Sequence, residues 1–75
     1  MKIKGTSSYI TVEIDNKTVQ IQGEMLVNGF VAYGDTIKHW EPPYQNIEID
    51  ETTKAKLIQD IMDETKNSKF VIRFE

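Results

Sequence analysis

The chain has 75 residues, of which 39% are hydrophobic and 28% charged, enough for one domain with one core and too few for a second. Zero cysteines exclude a disulfide framework and a thiolate zinc site, and a single histidine leaves any metal to carboxylates. Nine basic against twelve acidic residues give a net charge of -3, opposite in sign to the footprint of a general phosphate-backbone binder.

Met1-Lys2-Ile3-Lys4 runs into polar Gly5-Thr6-Ser7-Ser8, which is neither a signal-peptide core nor the start of a membrane span, so the expected location is the cytoplasm. The first periodic signal is Tyr9 to Ile14, where Ile10, Val12 and Ile14 alternate with Tyr9, Thr11 and Glu13, as in a half-buried strand. Asp15-Asn16-Lys17 carries turn chemistry, and Thr18 to Gln22 resumes the alternation with Val19 and Ile21 inward, predicting a hairpin. Gly23 marks a bulge or bend before Met25-Leu26-Val27, and Asn28-Gly29 matches the preference of a type I′ turn. A third strand starts at Phe30; Phe30-Val31-Ala32-Tyr33 is apolar on both faces, the mark of a well-covered strand. After Gly34-Asp35 the strand is expected to continue through Thr36 to Trp40.

Pro42-Pro43 ends the sheet, because consecutive prolines offer no N–H to a ladder. A short extended piece at Asn46 to Ile49 is followed by Asp50, an N-cap, and by a helix from Glu51 to about Lys66. At a hundred degrees per residue, Ala55, Leu57, Ile58, Ile61, Met62 and Thr65 share one stripe. Asn67-Ser68 is read as a left-handed exit, and Lys69 to Glu75 alternates as a last strand. The expected fold is therefore α+β, a single domain over 1–75 in β-β-β-α-β order, with the helix packed on one face of a small antiparallel sheet. The last strand pairs either with the meander or with a second copy, a homodimer by strand addition that Lys69 and Arg73 disfavour.

No residue pattern carries catalysis. Ser7, Ser8 and Ser68 sit outside any nucleophile elbow, and the four glycines form no phosphate-cradling loop. Asp50-Glu51 and Asp63-Glu64 point about a hundred degrees apart on a helix and read as caps and solvated surface. No cofactor and no metal is expected. One stretch, Tyr33 to Tyr44, gathers the only Trp, the only His, both prolines and two of the three tyrosines. Trp and Tyr are common interface anchors, so Tyr33, Asp35, Lys38, His39, Trp40, Glu41 and Tyr44 form the candidate partner-binding set. Trp40 serves equally well as a core anchor, and His39, its neighbour, then faces solvent. Two competing readings remain: a nucleic-acid module stacking bases on Tyr9 and Tyr33, weakened by the charge, and an acid–base enzyme using His39 with Asp35 or Glu41.

In its order of features the chain resembles the small immunity proteins of bacterial polymorphic toxin systems, in particular the immunity protein seventy-four family. The residues that carry the likeness are Val19-Gln20-Ile21-Gln22-Gly23, Gly29-Phe30-Val31-Ala32-Tyr33 and, most specifically, Ile37-Lys38-His39-Trp40-Glu41-Pro42-Pro43-Tyr44. The resemblance implies a non-enzymatic protein that neutralises a cognate toxin domain by stoichiometric occlusion. It supplies no catalytic residue and no mapped contact. Net acidity suits a toxin with a basic substrate groove, such as a nuclease.

Overall fold

In the computed structural model, which describes all residues from Met1 to Glu75, five strands and one helix account for the regular structure. They are β1 (Lys2–Gly5), β2 (Tyr9–Ile14), β3 (Lys17–Leu26), β4 (Gly29–Ala32), α1 (Glu51–Thr65) and β5 (Val71–Phe74), in sheet order β1-β2-β3-β4-β5. The chain is α+β as expected, with one strand more. β1 lies antiparallel on β2 with Ile3 opposite Val12 and Gly5 opposite Ile10, so the segment read as a polar lead-in is an edge strand. One apolar residue, Ile3, is all the local signal it has. The sheet is mixed and not antiparallel throughout as expected, because β5 returns from the helix to lie parallel to β4.

The first hairpin forms where the sequence places it. Ile14 faces Lys17, and both central residues have positive φ, Asp15 at 52° and Asn16 at 67°, the type I′ arrangement that suits strand twist. The expectation of that turn at Asn28-Gly29 is overturned. Leu26 faces Gly29, so the loop residues are Val27 and Asn28, and neither Asn28 nor Gly29 has positive φ. Gly29 is required for space: a Cβ there would overlap the carbonyl oxygen of Val71 in the neighbouring strand.

β3 changes partner along its length. Lys17–Gln22 pairs with β2 and Gly23–Leu26 with β4, and the change falls at Gly23. A Cβ on Gly23 would overlap the Val31 carbonyl oxygen and the Phe30 ring, whose Cζ would be 2.7 Å away. Phe30 lies over the glycine and seals the bend, and Phe30 is fully buried.

The expected strand at Thr36 to Trp40 does not form. Gly34–Thr36 is one turn of 3-10 helix, and beyond it His39 meets Glu48 in a single antiparallel bridge; the extended piece expected at Asn46 to Ile49 is reduced to that bridge. The connector is stitched to β3 instead. The Thr36 hydroxyl accepts from the Gln22 N–H at 3.0 Å and donates to the Tyr33 carbonyl at 2.7 Å, and the Glu41 N–H donates to the Thr18 carbonyl at 2.7 Å. Local polar partners therefore replace a ladder that Pro42 and Pro43 would in any case have cut short.

The core shows why this segment matters. β2 and β3 supply Ile10, Val12, Val19 and Ile21, β4 adds Phe30 and Ala32, and β5 adds Ile72. The cover is built from Leu57 and Ile61 of α1 together with Ile37, Trp40 and Ile49 of the connector. Helix on sheet is thus only part of the core; an irregular strap closes the rest.

α1 begins as expected at Asp50, whose carboxylate accepts the Thr53 N–H at 2.8 Å. That backbone donor first, and the Thr53 hydroxyl second, hold the Asp50 carboxyl below its ordinary value of 3.8. Leu57, Ile61 and Thr65 are buried while Ile58 and Met62 are half-buried. Ala55 is exposed, against expectation, because it lies about 120° around the helix from the middle of the buried stripe. The opposite face is polar, with Lys56 bonded to Asp60 at 3.1 Å and Gln59 to Asp63 at 3.0 Å.

The helix does not leave through a left-handed residue, since Asn67 and Ser68 both have negative φ. Instead the Ser68 hydroxyl accepts the Phe70 N–H (3.1 Å) and directs its one proton to the carbonyls of Phe70 (2.7 Å) or Thr65 (3.0 Å). Thr65 reaches further. Its hydroxyl donates to the Ile61 carbonyl at 3.0 Å and accepts the N–H of Ile72 at 3.2 Å, on the side of β5 away from β4. β5 pairs with β4, the first of the two alternatives the sequence left open, and its other edge is partly occupied by the chain's own helix.

Candidate functional site

The seven residues singled out between 33 and 44 do not converge. Trp40 is 6% exposed and belongs to the core, so its role is first of all structural. Asp35, Lys38, His39 and Glu41 are exposed, and Tyr33 and Tyr44 are half-buried. His39 faces solvent. Asp35, Lys38 and His39 line one side of a broad, shallow hollow of about 740 Å³, opposite Glu51 and Lys54 at the start of the helix. No carboxylate lies within ion-pair distance of His39, and the one salt bridge of the chain is Lys56–Asp60. Tyr9 and Tyr33, the aromatics of the nucleic-acid reading, are half-buried.

Trp40 and Tyr44 turn to another part of the surface, where they meet Lys17. The Lys17 ammonium stands 5.3 Å from the Tyr44 ring centroid and 6.0 Å from that of Trp40, the range in which a ring quadrupole attracts a cation. The reason is register. Lys17 closes the first hairpin opposite Ile14, and this pair lies in the same alternation as the buried Val12 and Val19, so the lysine stem runs along apolar surface and its head emerges at the rings.

Around this contact the β2–β3 turn, the connector and α1 enclose a cleft of about 280 Å³. Its apolar lining is Ile14, Trp40, Ile47 and Leu57; its polar rim is Asp15, Lys17, Glu48, Thr53, Lys56 and Asp60. A second hollow of about 450 Å³ shares Ile14 and Asp60 with it and adds Met1, Asp63 and Glu64. The two make one continuous surface along the N-terminal half of the sheet and the flank of the helix. Of the residues foreseen as a binding set only Trp40 lines it. The others come from segments up to 63 positions apart in sequence, Met1 to Glu64, with no local pattern to join them. One signal was readable: Ile47 is an apolar residue among polar neighbours and remains 46% exposed.

A different apolar patch sits at the tip of the second hairpin, where Met25, Leu26 and Val27 are 40%, 38% and 96% exposed. No three His, Cys, Asp or Glu residues are grouped so as to hold a metal ion, and no helix is long and apolar enough to cross a membrane.

The surfaces described combine apolar floors with charged rims. No curated protein and no solved structure matches the chain. A family model does, over residues 2–75, essentially the entire sequence including the added strand β1 and the Trp40 strap, and on that match the chain belongs to the family described as Immunity protein 74.

Proposed function

We propose that this protein binds a cognate bacterial toxin domain and neutralises it by stoichiometric occlusion, with no chemistry of its own. Membership of an immunity-protein family is the observation that carries the reading. The setting is a polymorphic toxin system, and the place of action is the cytoplasm of the cell that makes the toxin or its siblings. A toxin with an intracellular target such as nucleic acid fits that setting.

The size of the surface supports a one-to-one complex. The chain exposes 5102 Å², and a standard interface covers about 800 Å² on each partner, so one side is enough. A stable partner needs a core of desolvated anchors within a polar rim, and the cleft at Trp40 and Ile47 has that anatomy in miniature.

The test is co-expression with the toxin domain encoded beside the gene. The expected result is a growing culture and a one-to-one complex in size-exclusion chromatography with light scattering. Growth arrest with or without this protein, and separate elution of the two chains, would refute the proposal.

A further inference from the structure

Resting on the toxin-binding reading above, we infer that the toxin docks on the acid-rimmed cleft between the β2–β3 turn, the connector and α1, presenting a basic surface from which one arginine or lysine side chain enters the cleft. The first support is where the charge lies. The cleft and the adjoining hollow bring together Asp15, Glu48, Asp60, Asp63 and Glu64 against Lys17 and Lys56, five acidic side chains to two basic ones. That difference equals the entire net charge of -3, and the other seven acidic residues are matched by seven basic ones. The excess of acidic over basic side chains therefore lies on this surface. A partner of opposite sign is drawn towards this face.

The second support is the lining. At about 280 Å³ the cleft is smaller than the sites that hold drug-sized ligands and suits one long side chain. Its walls of Ile14, Trp40, Ile47 and Leu57 accept methylene groups, while Asp15 and Glu48 at the rim have no cation within ion-pair distance. An arginine or lysine satisfies both demands, with its stem on the apolar walls and its head at the carboxylates. A purely apolar side chain would cover those carboxylates without pairing them, which costs more than it returns. Lys17 already shows that the Trp40 and Tyr44 rings accept an ammonium group. The Met25-Leu26-Val27 tip is more exposed, but nothing around it selects a partner.

The experiment measures association and dissociation rates with the purified toxin domain encoded beside the gene as probe. Four proteins are compared: the wild type, the cleft reversal Glu48→Lys/Asp63→Lys, the control reversal Glu13→Lys/Glu24→Lys with the same change in net charge, and Ile47→Ser. All altered side chains are exposed, so the folds are retained, as circular dichroism melts will verify. The cleft reversal is expected to slow association by about tenfold or more and the control by less than about twofold. Ile47→Ser is expected to speed dissociation about fivefold with little change in association. Equal losses in the two reversals, or wild-type kinetics for both cleft variants while the wild type forms its complex, would overturn this docking surface and leave the immunity reading intact. Failure of the wild type itself to bind would overturn the immunity reading, and this inference with it.

Discussion

Replacing Trp40 by alanine should destabilise the whole fold as well as the cleft that Trp40 lines. The indole is 6% exposed and is packed with Ile37 and Ile49 of the same strap in a core of twelve buried residues. Truncating a buried Trp to Ala costs about 3–5 kcal/mol through lost transfer energy and the cavity left behind. A 75-residue domain has only about 4–11 kcal/mol in all, at roughly 0.05–0.15 kcal/mol per residue. For a domain of this size each 1 kcal/mol moves Tm by about 4–8 °C, so a fall of about 12 °C or more is expected. Far-UV circular dichroism should follow the melt, because the substitution removes the only tryptophan and with it the fluorescence signal. Trp40→Phe, which keeps a ring in the site, should lose less than half as much. Should Trp40→Ala melt within about 4 °C of the wild type, the strap is not part of the core, and any lost binding would then report a contact surface instead.

Three other perturbations probe single features of the fold. Gly23→Ala places a methyl against the Val31 carbonyl and the Phe30 ring, and overpacking of that kind costs about 1–3 kcal/mol; a urea midpoint equal to the wild type's would contradict the close approach. Thr65→Val keeps shape but removes the acceptor of the Ile72 N–H, at a cost of about 1–3 kcal/mol, whereas Thr65→Ser retains the hydroxyl; hydrogen exchange at Ile72 should accelerate in the valine variant, and greater stability of Val over Ser would count against the bond. Asp50 titrates below its ordinary value because the Thr53 N–H binds its ionised form, so its contribution is complete above the unfolded pKa near 4 and is lost as pH falls through the lower folded value. Acid unfolding followed below about pH 4 should therefore be shallower in Asp50→Asn than in the wild type.

The elements set by nearest-neighbour chemistry were legible in the sequence. The two-residue alternation of 9–14 and 18–22 became β2 and the part of β3 that pairs with it, Asp15-Asn16 took positive φ at both positions, and the 3.6-residue stripe with its Asp50 cap became α1 to within one residue. These signals are short in range, since period, capping and turn chemistry act over three or four residues. What escaped them depends on distant partners. Lys2–Gly5 has one apolar residue and becomes a strand because β2 offers it an edge. Gly29 looked like a turn glycine, but it is needed because Val71, forty-two positions later, returns against it.

The functional surface follows the same division. The segment from Tyr33 to Tyr44 is conspicuous in composition, and the fold disperses it, burying Trp40, turning His39 to one hollow and Tyr44 towards Lys17. Composition and charge by themselves determined a small acidic domain without thiol or clustered-histidine chemistry, because those properties are sums over residues. Only the tertiary structure decided that the three excess negative charges share one face with an apolar cleft. That face is assembled from a hairpin turn, an irregular strap and a helix flank, which no pattern along the chain connects.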